Sequence, residues 1–225
     1  MPDRPFSWLS PLWVVLRKDA LCEIRSRYAV GALVMFAVVA VASISMSTAG
    51  VLPSPALAAA LLWVVLFFCA MAGLSRAFVQ EQEAGTLLLL RLYGRGQAVF
   101  FGKTVFNMLL LLAVSAVVVP LFILLLGVEI PLWAAFIAVL VLGDAGIAAV
   151  ATLTAFMVCR AGGQGALFAV ITFPLLLPQF LTAIAATARI FDCGSPGAGA
   201  FLFMAGYDIA VLLAASILFD YLWYE

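Results

Sequence analysis

Long apolar runs, each near the length that crosses a bilayer, alternate along this chain with short polar breaks rich in cations. A hydrocarbon core about 30 Å thick takes about 20 apolar residues of helix. Residues 30–47, 55–74, 104–126, 132–159 and 165–186 each supply such a run, and a sixth ends near Tyr221. The pattern predicts an all-α integral membrane protein, with six transmembrane helices in one domain spanning residues 1–225. Barrel strands would alternate over about ten residues, and these runs are too long and too evenly apolar for that. Ahead of the first run, Leu9, Leu12, Trp13, Leu16 and Ala20 recur at helical spacing, with Lys18 and Arg25 opposite them. Residues 1–28 therefore read as an interfacial helix on the cytoplasmic surface, its tryptophans at headgroup level. Val14 and Val15 fall off that stripe and Glu23 interrupts it, so a solvated cationic leader that only fixes topology is the plainer alternative.

Composition agrees with the pattern: 67% of the residues are hydrophobic, 10% are charged and the mean hydropathy is +1.26, far from the mix of a soluble domain. The net charge is zero, but the cations are unevenly placed. Ten of the eleven Lys and Arg residues lie before the first run, between the second and third, or after the fourth; only Arg189 lies on the other side. By the positive-inside rule both termini are cytoplasmic, and 127–131 and 187 to about 206 face outward. No cleavable signal peptide is expected, because charges and tryptophans stand where an apolar core would be needed. Cys22, Cys69, Cys159 and Cys193 show no metal-ligand spacing, and only Cys193 is expected outside. The chain has no histidine, which removes the commonest haem and metal ligand and the commonest general base.

Three positions inside the runs stand out. Asp144, within "VLGDAGIAAV", would cost about 2.5–3.5 kcal/mol at the bilayer centre if charged, so it must be protonated, paired or facing a wet cavity. Its small neighbours Gly143, Ala145 and Gly146 would let another helix come close enough to supply a partner. Pro174 and Pro178 sit four apart in the fifth run and should bend it, either as a packing kink or to line a path between subunits. No P-loop, HExxH or GxSxG occurs, so catalysis by this chain is not expected. No nucleic-acid partner is expected.

The stretch "FVQEQEAGTLLLLRLYGRG", within 78–97, breaks the apolar rhythm with two glutamates and two glutamines. Glu81 and Glu83 at its start, and Arg91 and Arg95 near its end, complement a helix dipole. A short helix parallel to the membrane, which a soluble partner could grip, is the reading. With "FFGK" at Lys103, this stretch resembles the coupling region of type-2 ABC permeases. "LRKDALCEIRSRYAV" stands before it, "LLGVEIPLW", "CRAGGQGALFAVITFPLLLPQFL" and "AGYDIAVLLAASILFDYLWYE" come after it, and together the five collinear passages resemble the CcmB family of cytochrome c maturation permeases over nearly the whole chain. Behind Gly85 and Thr86 the run is unusually apolar for that family, and Asp144 stands where small or hydroxyl residues are more typical.

The resemblance implies a type-2 ABC exporter-like fold and a permease subunit supporting haem export, or ATP-driven release of the haem-loaded periplasmic chaperone. In the bacterial inner membrane that the resemblance implies, Glu81, Glu83, Gly85, Thr86 and Arg91 would couple to the ATPase, and Arg160, Pro174, Pro178 and Asp208 would serve a pathway or gate; Asp144, a departure from the family pattern, is a candidate for the same role on its own intramembrane charge. The implied partners are the ATPase CcmA, two copies with two permeases, then CcmC, a small CcmD-like subunit and, indirectly, the chaperone CcmE. No cofactor would be bound directly: haem would be substrate, ATP would sit on the partner, and the missing histidines favour force transmission over ligated haem. An exporter of lipid, polysaccharide or drug would share these features, and a passive scaffold is a further alternative.

Overall fold

The computed structural model describes residues 9–25, 27–48, 51–75, 78, 81, 85, 96–161 and 165–224. Seven helices make it up, with no strand among the described residues: α1 (Leu9–Arg25), α2 (Arg27–Ser47), α3 (Pro55–Leu74), α4 (Gly96–Leu126), α5 (Trp133–Arg160), α6 (Gly165–Phe191) and α7 (Ala198–Tyr224). The five from α3 to α7 are long and apolar enough to cross a membrane. The apolar described part of α2, Gly31–Ser47, is shorter. The six-span expectation thus meets five helices of full length and one that falls short by this measure.

Local chemistry fixes several helix ends. Ser54 caps α3, its side chain accepting from the Leu57 N–H at 3.4 Å, and Pro55 supplies a first position that needs no N–H. Gly127, at φ +67°, closes α4 with its N–H on the Ile123 carbonyl at 2.9 Å, a left-handed turn that glycine adopts without strain. At 31 residues, α4 runs about 46 Å, some 15 Å more than a hydrocarbon core. The excess lies at its Gly96 end, where Lys103 sits two turns in. The helix therefore begins at Gly96, eight residues ahead of the apolar run expected from 104. The loop expected over 187 to about 206 is likewise shorter: α6 runs on to Phe191 and α7 already begins at Ala198.

Helix α5 is the axis of the bundle, packed by α3, α4, α6 and α7. Between Gly143 and Phe156 only Ala145 is not fully buried. Lipid offers no hydrophobic drive for helix association, so close packing and hydrogen bonds must hold the helices together. Gly143 shows the first device: a Cβ built there would lie 2.0 Å from the Trp63 ring. The indole cannot easily move aside, because its N–H donates to Thr187 Oγ1 at 2.9 Å and both residues are buried. The expected close approach at Gly143 and Gly146 is present, but it admits Trp63 on α3 and the Gln179–Asp208 pair of α6 and α7. Hydrogen bonds supply the second device: Asn107 donates to Thr152 at 2.8 Å, Thr154 and Thr172 share a proton at 2.8 Å, and Ser45 holds the Leu125 carbonyl at 2.8 Å.

Substituting Gly143→Ala is expected to lower the unfolding free energy of the detergent-solubilised chain by about 1–3 kcal/mol, the usual cost of overpacking. Trp63→Ala should cancel much of that penalty in the double variant, since the clash is with the indole. An unchanged melting midpoint for G143A would contradict this packing.

Candidate functional site

At the Gly96 end of the bundle, four ionisable side chains distant in sequence meet. Lys103 of α4 donates from Nζ to Asp19 Oδ2 at 3.2 Å and stands 2.9 Å from Glu81 Oε1. Lys18 of α1 is 3.3 Å from Asp19 Oδ1 and donates directly to Glu81 Oε1. Two cations and two carboxylates thus alternate in a neutral quartet. Lys103 is 2% exposed and Glu81 6%, so this is not a surface pair of the kind that contributes little. Removing one member of a buried cluster leaves the others uncompensated, which costs about 3–5 kcal/mol.

An aromatic cluster lies directly beneath. Phe78, three residues before Glu81, is fully buried against Phe156 at 5.1 Å and Phe219 at 5.9 Å between ring centroids. Phe100 and Trp223 pack on the same Phe219 at 5.3 and 5.5 Å. Lys103 Nζ stands 4.7 Å over the Phe78 ring, a cation–π contact strengthened by the shortage of water. The acid-led stretch is therefore pinned at its start twice, by an aromatic anchor to α5 and α7 and by a charge anchor to α1 and α4.

Charge regulation follows from the geometry. Burial pushes the Glu81 carboxyl up, but Lys103 and Lys18 outweigh it and hold the pKa below the usual carboxylate value. Burial pulls Lys18 down, but the Glu81 hydrogen bond and the Asp19 charge outweigh it and hold Lys18 above its usual value. Glu81 therefore stabilises the fold above the ordinary glutamate pKa of about 4.3, and that contribution fades as pH falls through its lower folded value. Lys18 stabilises below about 10.4, and its contribution fades as pH rises through its higher folded value.

The structure revises the reading of α1. Lys18 was expected opposite the apolar face, yet it belongs to the quartet; Val15, expected on the wrong side, is 5% exposed and in the core, while Trp13 is 62% exposed. Helix α1 docks on α4 through Val15, Lys18 and Asp19, and turns Trp13, Val14, Arg17 and Leu21 outward. Of the residues expected to couple, Glu81 points inward to α1 and α4. Gly85 is exposed at φ +67° with no atom near its missing Cβ, a turn that favours glycine. Glu83, Thr86 and Arg91, like Arg95, lie outside the described residues. Lys18, Asp19, Lys103 and Phe78 were not singled out as site residues. They stood inside quoted passages, but partners such as Lys18 and Glu81, 63 residues apart, and Asp19 and Lys103, 84 apart, leave no periodic signal.

The other expected positions are not brought together into one site. Asp144 is fully buried and accepts from Ser115 of α4 at 2.9 Å, its second oxygen having no partner among the described residues. Asp208 accepts from Gln179 Nε2 at 3.0 Å, and Gln179 also approaches the Leu142 carbonyl at 3.2 Å. The Asp208 pair sits over Gly146, where a Cβ would meet Asp208 at 2.6 Å. Positions 144 and 146 point about 200° apart on a helix, so the two carboxyls fasten different sides of α5. Pro174 and Pro178 both lie inside the continuous α6 with exposed side chains, and Tyr207 of α7 donates its hydroxyl to the Leu175 carbonyl between them. Arg160 is exposed in the last turn of α5.

Lys103→Met is expected to destabilise the solubilised chain by about 3–5 kcal/mol. The wild-type melting midpoint should hold through neutral pH and fall below about pH 4.3, with Glu81→Gln flattening that acid limb. A Lys103→Met chain as stable as wild type would show that the quartet holds nothing.

Relatives speak to the same architecture. No curated protein matches the chain. The family model described as CcmB protein matches residues 10–219, which takes in α1, the quartet and all but the end of α7. A multi-pass helical chain matched over nearly its full length, it belongs to the CcmB family, the permease-type membrane subunits of cytochrome c maturation.

Proposed function

We propose that this chain is the membrane half of an ATP-driven complex in cytochrome c maturation, and that it transmits force from a separate ATPase into the bundle. The observation that carries the reading is the double anchorage of the acid-led stretch: Glu81 on Lys103 and Lys18, and Phe78 among Phe156, Phe219 and Trp223. A soluble partner gripping residues beyond Glu81 pulls on α1, α4, α5 and α7 together. Glu83, Thr86 and Arg91 make that grip, Gly85 provides the turn, and Glu81 passes the load inward.

In this reading the partner is the ATPase CcmA, in a two-plus-two assembly, with CcmC, a small CcmD-like subunit and the chaperone CcmE beyond. Both termini are cytoplasmic, α2 serves as the first of six spans, and α1 lies along the inner surface; the clustering of ten of eleven cations supports this orientation. Haem is cargo of the machine rather than a resident of this chain, and a histidine-free sequence supports transmission over ligated passage. The polar pairs Ser115–Asp144 and Gln179–Asp208 tie α4 to α5 and α6 to α7, so that movement at the base reaches the far end of the helices. Asp144 and Asp208 are in this account fasteners of moving helices, and Pro174 and Pro178 are where α6 yields.

Reversing Glu83 and Arg91 together should lower partner-stimulated ATPase activity and covalently attached haem in c-type cytochromes, while leaving b-type haem proteins and the stability of the chain unchanged. Glu81→Lys should lose both activity and stability, because it places a third lysine in the quartet. Normal c-type cytochromes in the Glu83/Arg91 reversal would contradict force transmission. Normal c-type cytochromes in a strain lacking the chain, together with loss of an envelope lipid or glycan, would favour the alternative exporter.

A further inference from the structure

At the opposite end of the bundle, where α6 turns into α7, the surface carries a groove of about 410 Å³ lined by Leu181, Thr182, Ala185, Arg189, Gly199 and Ala200 among others. The volume lies within the range of about 300–1,000 Å³ typical of small-molecule sites. Arg189 is the one cation that the charge pattern along the sequence assigns to this side of the membrane. Its guanidinium has one hydrogen bond, a long one of 3.4 Å to the Pro196 carbonyl. No carboxylate lies within 4.0 Å of it among the described residues. Arg189 is exposed at the mouth of the groove, and a planar fork with most of its donors open to a ligand matches the oxygens of a phosphate better than any other common anion of a membrane surface.

The shape below the guanidinium is equally specific. Leu181 and Arg189 are eight residues apart on α6, so an alkyl-walled trough runs about 12 Å down the helix from the charge. Thr182 interrupts it little, since its hydroxyl already donates to the Pro178 carbonyl at 2.9 Å. The α7 wall is low, because a Cβ at Gly199 would meet nothing within 4 Å. Arg189 lies about 5 Å beyond the apolar run that ends near residue 186, at headgroup depth. A cation at headgroup level above a trough of hydrocarbon is complementary to one amphiphile of the bilayer itself. With no acid in the lining to pair an ammonium, a headgroup of net negative charge is preferred over a zwitterionic one.

We infer that the α6–α7 groove is a binding site for one anionic phospholipid, its phosphate on Arg189 and an acyl chain along Leu181 and Ala185. This site is independent of the transmission reading, lying at the other end of the helices from the quartet. Native mass spectrometry of the purified full chain, titrated with phosphatidylglycerol or phosphatidylcholine, tests it. Wild type should retain one phosphatidylglycerol at about fivefold lower lipid concentration than phosphatidylcholine, which shares the phosphate but carries a compensating ammonium, the scale of one arginine beside a net negative headgroup. Arg189→Gln should erase that preference, Arg189→Lys should restore part of it, and Gly199→Leu should block the trough with the charge intact. Inorganic phosphate at millimolar concentration should not displace the lipid. Equal retention by wild type and Arg189→Gln, equal retention of the two lipids, or displacement by inorganic phosphate would each overturn the assignment, the last in favour of a free-anion site.

Discussion

A buried lysine at position 103 sets the terms for the base of this molecule. Its ammonium is almost wholly removed from water, at the point where a 31-residue helix leaves the apolar part of its length. Such a charge is tolerable only if carboxylates come to it. Asp19 and Glu81 do so from two other parts of the chain, and Lys18 balances the surplus negative charge they bring. Helix α1, the acid-led stretch and α4 are consequently held together by one electrostatic requirement, and Phe78 is drawn under Lys103 into the aromatic cluster as part of the same arrangement.

Above the quartet the chain solves a different problem. In lipid, apolar side chains gain nothing by touching one another rather than acyl chains, so the helices are fastened by shape and by polar pairs. Trp63 against Gly143, with its indole N–H on Thr187, joins α3 to both α5 and α6. Ser115–Asp144, Asn107–Thr152, Thr154–Thr172 and Gln179–Asp208 join the remaining neighbours, each pair bridging two helices. Large side chains such as Met46, Leu124, Val170, Leu202 and Ile217 stand exposed on the periphery, where lipid is their solvent. Anchors at the base and pairs along the axis together give a bundle through which a displacement can travel.

The apolar runs made the five long helices legible, because bilayer thickness imposes a length that composition alone reveals. Helix ends were less legible where protein replaces lipid as the environment. Helix α4 begins eight residues before the expected 104, since Lys103 and the residues before it are satisfied by α1, Glu81 and α7 rather than by hydrocarbon. Helix α6 continues past the apolar run that ends near 186, with Thr187 partnered by Trp63, and α7 begins at Ala198, inside the segment expected to face outward. The acid-led stretch stood out as anomalous, but its glutamates suggested an outward-facing surface. That Glu81 turns inward depends on Lys18 and Lys103, and no spacing rule connects residues so far apart. The face α1 turns to the bundle is partly charged, Val15 with Lys18 and Asp19, and their partners lie on other elements, so no apolar stripe announces it.

The central claim is that Glu81 and Lys103 act as one energetic unit joining the acid-led stretch to the bundle. A double-mutant cycle of Glu81→Gln and Lys103→Met on the unfolding free energy of the full chain in bicelles measures that unit directly. The account predicts that the double variant is more stable than the sum of the single losses implies, with a coupling of about 1.5 kcal/mol or more, because each single change leaves a buried charge without its partner. Losses that add to within about 0.5 kcal/mol would mean that the two residues do not act together, and the account of how the stretch is anchored would be wrong.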